Sequence, residues 1–114
     1  MATMYVRRFS FKESLSDAQV VEEWKFLMNQ ALPAVEKVPG VRSCKAYWGA
    51  GGLRADIAVL IEMDDAGVYE RLVADPGVRP LITRLYGSWD LKTATQAFRR
   101  EVTPQVIAAL SGTA

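Results

Sequence analysis

Between Leu53 and Met63 every second residue is apolar: Leu53, Ala55, Ile57, Val59, Ile61 and Met63. Arg54, Asp56, Ala58, Leu60 and Glu62 fill the alternate positions. A period of two puts successive side chains on opposite faces of an extended chain. The stretch therefore reads as a strand with one wholly apolar face and one mixed face. Such a strand needs a sheet, and the sheet needs helices over its apolar side.

The flanking sequence supplies both. With 114 residues the chain has room for a single domain, 1–114. Met4–Glu13 alternates as a first strand, with Tyr5, Phe9 and Phe11 on one face and Arg7 among them. Ser16 and Gln19 have the spacing of a capping box, and Leu15 and Val20 that of a hydrophobic staple. Val20, Trp24, Leu27, Met28, Ala31 and Val35 then recur at helical spacing. Pro33 interrupts that helix and predicts a kink near Leu32. Val41–Gly49 reads as a second strand, and Gly49-Ala50-Gly51-Gly52 as a hairpin into the central one. Asp64 or Asp65 caps an expected helix over Ala66–Ala74, and Asp75-Pro76 opens another that stops at Gly87. Leu91–Val102 is a fourth strand, after which Thr103-Pro104 starts a terminal helix with Val106, Ile107 and Leu110.

The order β-α-β-β-α-β predicts an α+β, ferredoxin-like plan: a four-stranded antiparallel sheet with the helices on one face. The other face is expected to carry, depending on register, residues such as Ala58, Leu60, Ala94 and Phe98 beside Arg54, Asp56 and Glu62. A half-apolar sheet surface favours association, so a homodimer through the open sheet face is expected.

Composition narrows the chemistry. The formal net charge is +1, without the basic excess of a nucleic-acid binder. The chain has no histidine and one cysteine, Cys44. It thus lacks the commonest metal ligand and the usual general base, and one chain cannot build a disulfide framework or a cysteine zinc site. No metal and no cofactor are expected. The longest apolar run, Ala58–Ile61, falls far short of the ~20 residues that span a bilayer. No signal-peptide pattern follows the first basic residues, so no membrane partner and a cytoplasmic location are expected.

Three segments together resemble the dimeric α/β-barrel superfamily, in its antibiotic-biosynthesis-monooxygenase-like branch. They are Leu32-Pro33-Ala34-Val35-Glu36-Lys37-Val38-Pro39-Gly40-Val41, the strand Leu53–Met63, and Tyr69–Pro76 with Val78-Arg79-Pro80. The resemblance spans Met4–Val102. It implies a dimeric barrel and, in each subunit, an aromatic-lined cavity between sheet and helices. Members of the family use that cavity for different ends, so the resemblance implies a small-molecule-cavity protein, with a cofactor-independent monooxygenase of aromatic or polyketide-type substrates as the first reading. The alternative is a non-catalytic dimer that binds a small apolar or aromatic ligand, or serves structurally.

Candidate ligand contacts follow from what such a cavity needs, apolar walls with a few polar tips. Tyr86 and Trp89 flank the expected helix stop at Gly87, where a cavity would open. Tyr47 and Trp48 face opposite sides of their strand, so only one can enter; Tyr47 is the candidate. Arg7 and Arg84 could steer an anionic oxygen through a planar, permanently charged donor fork. The same residue types also serve as core, dimer contacts or solvated surface. Asp56 is expected to pair with an arginine rather than act as a base. Cys44 has no histidine to activate it, and the glycine loop lacks the Lys and Ser/Thr of a phosphate-binding loop.

Overall fold

The computed structural model describes residues 2–112. Strand β1 spans Thr3–Phe11, β2 Val41–Tyr47, β3 Ile57–Met63 and β4 Trp89–Arg99. The sheet order is β2-β3-β1-β4, and every pairing is antiparallel. This is the expected ferredoxin-like arrangement, with the helices on one face.

Helix α1 (Asp17–Phe26) starts as its sequence requires. Ser16 Oγ accepts from the Gln19 N–H at 3.2 Å, and Gln19 Oε1 accepts from the Ser16 N–H at 2.7 Å. The expected kink takes the form of a π-helical turn, Leu27–Ala31, leading into α2 (Leu32–Glu36). Pro33 has no N–H, and in a regular helix its ring would strike the Asn29 carbonyl. The wider turn relieves that clash, and the Leu32 N–H reaches back to the Leu27 carbonyl. Leu27, Ala31, Leu32 and Val35 are all buried against the sheet.

The remaining boundaries depart from the sequence reading for local reasons. The central strand begins at Ile57 rather than Leu53, because the chain turns through Asp56 at φ 53°. Leu53 stays half exposed, and its carbonyl accepts from Trp24 Nε1 at 2.7 Å. Helix α3 (Val68–Ala74) has Gly67 at its cap without a side-chain bond. Asp65 makes a short turn to the Gly67 N–H instead, while Asp64 pairs with Arg42. Asp75 likewise holds the N–H groups of Gly77 and Val78, so α4 (Arg79–Tyr86) starts three residues later than its aspartate-proline signal. Pro80 falls in the first turn of α4, where its missing N–H costs nothing. Helix α5 (Pro104–Ser111) is capped by Thr103 as expected and has no buried residue.

Register explains a larger correction. Opposite β1, strand β4 pairs Trp89 with Phe11 and then, after an irregularity, Gln96 with Arg7 and Phe98 with Tyr5. The shift changes which parity of β4 faces the helices. Phe98 therefore lies on the covered face, 5.2 Å from the Tyr5 ring, and Ala94 packs against the core. Neither sits on the open face, as strict alternation would have it. That face holds Met4, Val6, Ala58, Leu60 and Ala97, all half-buried, with Arg8, Glu62 and Thr95 beside them. Arg54 leaves it as well, from the loop before β3, while Asp56 in the same loop stays at its edge beside Arg8 and Ser10. Arg54 pairs with Asp17, and Asp56 with Arg8.

Candidate functional site

Between the covered sheet face and α2, α3 and α4 lies a cavity of about 80 Å³. One water needs about 10–15 Å³ of such space. Its floor is aliphatic, built by Leu27, Leu32, Val35, Ile61, Leu72 and Ile82 among others. Its polar atoms come from few side chains: Tyr5 and Arg7 of β1, Tyr69 of α3, Tyr86 at the end of α4, and Trp89 at the start of β4.

These side chains form a connected group. The Tyr5 hydroxyl donates to Gln96 Oε1 at 2.9 Å. One guanidinium nitrogen of Arg7 donates to the same oxygen at 3.3 Å, and another to the Tyr86 hydroxyl at 3.4 Å. The Arg7 Cζ lies 5.6 Å from the Tyr86 ring centroid and 5.5 Å from that of Trp89, within cation–π range. Phe9 stacks on Trp89 at 3.8 Å and 13°, which fixes the indole plane. Tyr5 and Tyr69 rings lie 5.0 Å apart.

Arg8, Arg42, Arg54 and Arg84 each pair with a carboxylate. Arg7 does not. Among the described residues Arg71, Arg79, Arg99 and Arg100 also make no ion pair with a carboxylate, and what sets Arg7 apart from them is that it lines the cavity. The described partners of Arg7 are neutral: an amide oxygen, a phenol oxygen and two aromatic rings. Burial, with the Tyr69 hydroxyl next in weight, pushes the Tyr5 hydroxyl above the ordinary tyrosine range. Tyr5 therefore acts as a neutral hydrogen-bond donor and not as a base. Cys44 also lines the cavity, and burial, reinforced by Glu36, pushes its thiol up to about 12. Its thiolate is too scarce for nucleophilic work near neutral pH.

Of the five candidate contacts, the fold brings three together: Arg7, Tyr86 and Trp89. Tyr47 is placed elsewhere. It pairs with Ala58 on the open face and is half exposed. The one-residue irregularity in β2 between Val41 and Ser43 leaves Cys44 and Ala46 on the covered side instead. Arg84 also lies outside the cavity. It pairs with Glu23 and stacks over the Phe26 ring at 3.7 Å, tying α4 to α1. Tyr69, one of the aromatic residues the sequence offers for a pocket wall, belongs to the polar group, and so do Tyr5 and Gln96, which escaped the sequence reading. Tyr5 was readable only as core, and the side taken by Gln96 depends on the β4 irregularity.

Among the described residues there is no group of three or more His, Cys, Asp or Glu placed to hold a metal, and no helix long and apolar enough to cross a membrane.

No protein-family model matches the sequence, and no curated protein matches it. Solved structures do. SnoaB from Streptomyces nogalater, described as a cofactor-independent oxygenase, is 17% identical with a TM-score of 0.69, over 90% of this chain and 97% of its own. A dimeric ferredoxin-like protein of unknown function from Thermobifida fusca is 16% identical at 0.69, over 89% and 92%. A candidate antibiotic biosynthesis monooxygenase from Bacteroides thetaiotaomicron is 13% identical at 0.68, over 90% and 91%. The chain shares its fold with these proteins, and that fold is the ferredoxin-like one.

Proposed function

We propose that this chain binds a small aromatic anion in the cavity and oxygenates it without a resident cofactor, as a homodimer joined through the open sheet faces. The observation that carries the reading is Arg7, a cation without a carboxylate partner at an apolar, aromatic-walled cavity. An arginine so placed attracts an anionic oxygen and, in a site with little water, holds it strongly. SnoaB and the Bacteroides protein add support through their described activities, and the Thermobifida protein through its dimeric state.

The chemistry would run on the substrate itself. An activated ring CH₂ loses a proton to solvent, and the carbanion is stabilised as an enolate facing Arg7. It passes one electron to O₂, and the resulting radical pair joins as a peroxide on that carbon. Protonation and loss of water leave a carbonyl, so CH₂ and O₂ give C=O and H₂O. Arg7 and the Tyr86 hydroxyl would hold the enolate oxygen, and the aliphatic floor would keep water from the carbanion.

One observation favours a second reading, a binding protein without turnover. Tyr5 and Cys44 both hold their protons, and Arg7 is permanently charged, so none of the three supplies a base. Oxygen uptake with a panel of phenols and anthrones, in chelator-treated buffer, separates the two. The oxygenase reading expects substrate-dependent uptake that falls by about 10²-fold in Arg7→Gln. Ligand binding with no uptake by the native chain would leave the binding reading in its place.

A further inference from the structure

Helix α5 stands off the body that the rest of the chain builds. Residues 104–111 carry no charged side chain. A helix without a charged face belongs in a packed interior. Yet α5 buries none of its residues, and Ile107 and Leu110 are exposed. The chain measures 55 × 32 × 20 Å, with a radius of gyration of 16.1 Å. A compact domain of this length has about 13 Å. The excess is that of an arm held away from its own subunit.

The body offers such an arm a seat. A mainly apolar groove of about 310 Å³ runs along β2, lined by Met28, Leu32, Pro33 and Tyr47 among others. Strand β2 has β3 on one side and, among the described residues, no strand on the other. Folds commonly cover an edge of this kind with a helix.

Charge and chain length say whose helix takes that seat. Lys45, Leu60, Val6 and Ala97 form one row across the middle of the open face. If two such faces pair about an axis running across the strands, Lys45 meets Lys45 of the partner subunit, which is unfavourable. An axis along the strands sets Lys45 over an alanine instead. It also lays edge strand β4 of one copy over edge strand β2 of the other. Helix α5 follows β4, after residues 100–103. Four extended residues reach about 13 Å, and packed sheets lie about 10 Å apart. The link is long enough to bring α5 to the partner's β2 edge.

We propose that the groove beside β2 takes α5 of a second copy, with Ile107 and Leu110 packed on Met28, Leu32 and Tyr47, and that the exchange is reciprocal. This rests on the pairing of open sheet faces proposed above, and does not require turnover. Each copy carries one helix and one groove, so a two-fold pair uses both. Leu32 and Cys44 line the groove and the cavity alike, so the docked helix backs the cavity's own wall.

The test reads the contact between copies. A full-length chain with Glu36→Cys and Cys44→Ala carries a nitroxide at position 36, beside the groove. It is mixed with an equal amount of ¹⁵N-labelled native chain. The amides of 104–111 in the ¹⁵N chain are expected to broaden, because only a partner's nitroxide can reach them. Ile107→Asp with Leu110→Asp should abolish the broadening and weaken pairing about 10²-fold in sedimentation velocity. Unfolding of the single subunit in urea should not change, since neither residue is buried in it. Met28→Asp should act in the same way from the groove side. Pairs in sedimentation with sharp 104–111 amides would overturn the exchange, leave the sheet-face pairing standing and free α5 for a different protein. Broadening only where nitroxide and ¹⁵N share one chain would seat α5 on its own subunit, and overturn it too. A single subunit at every concentration would sink the sheet-face pairing itself, and the exchange with it.

Discussion

The two faces of the sheet are made by the same strands, yet they are finished differently. On the helix side Phe9, Ile57 and Met63 are 1%, 0% and 0% exposed. On the other side Val6, Ala58, Leu60 and Ala97 remain half-buried, with no helix over them among the described residues. The C-terminal helix repeats the contrast: α1 buries Val20 and α2 buries Leu32 and Val35, while on α5 Ile107 and Leu110 are 54% and 86% exposed. The covered face is complete within one chain. The open face is apolar enough to leave work for a second copy, the role given to it in the proposed dimer.

The largest effect expected from this contrast is thermodynamic on one face and associative on the other. Phe9→Ala removes a ring packed against Phe11 and Trp89 and should cost about 3–5 kcal/mol in urea unfolding. Leu60→Glu on the open face should leave the unfolding free energy of the isolated subunit within about 0.5 kcal/mol. It should nevertheless abolish pairing at micromolar concentration in sedimentation velocity, since it would bury two unpaired carboxylates in a two-fold interface. A Leu60→Glu protein that stays dimeric would place the subunit contact elsewhere.

The plan was legible because it rests on periodicity. Alternation over Ile57–Met63, the Ser16–Gln19 box and the Thr103 cap each act over a few residues and survive in the structure. The site was harder, because its geometry depends on where strands slip. Arg7 could be singled out from its aromatic neighbours on β1, and Tyr86 and Trp89 from the helix stop between them. Tyr47 and Phe98 were assigned to the wrong sides because strand irregularities in β2 and β4 change the parity of the residues beyond them. Arg84 could not be separated from Arg7 by residue type. Only the fold sets Glu23 and Phe26 beside one and neutral partners beside the other. The aspartates of Asp75-Pro76 and Asp64-Asp65 illustrate a different ambiguity. Their side chains bond the backbone of turns as readily as that of helix starts.

A smaller effect sharpens the same contrast through pH, because the covered face holds titratable groups that burial keeps protonated. The Cys44 thiol is raised from its ordinary 9.0 to about 12. Below pH 9 it is protonated in both the folded and the unfolded chain, and stability does not depend on it. Above that the unfolded chain releases the proton while the folded chain keeps it, so the unfolded state is favoured as pH rises. Stability should fall by up to about 1.4 kcal/mol per pH unit. The loss should continue until the folded thiol itself titrates. Tyr5 adds a loss of the same sign above its ordinary 10.0. Urea midpoints measured across this window for Cys44→Ala should lose the lower part of the slope and keep the part due to Tyr5. An unchanged slope in Cys44→Ala would mean that water reaches the thiol in the folded chain.

The smallest effect comes from comparing one kind of cap in two settings. Ser16 and Thr103 both close helix starts through a hydroxyl that accepts a backbone N–H three residues on, at 3.2 Å and 3.3 Å. An alanine at such a cap typically costs about 1 kcal/mol. For Ser16→Ala that loss should be seen in global unfolding, because α1 is packed into the core through Val20 and Trp24. For Thr103→Ala the same local loss should leave global unfolding unmoved, because α5 buries none of its residues within the subunit. It should show instead as faster amide exchange across 104–111, since segments with few buried contacts open independently of the body. Repeating the exchange measurement across protein concentration carries the comparison further. If the second copy also covers Ile107 and Leu110, protection of α5 should rise as dimers form, and Thr103→Ala should blunt that rise. Protection independent of concentration would confine the partner's contact to the sheet.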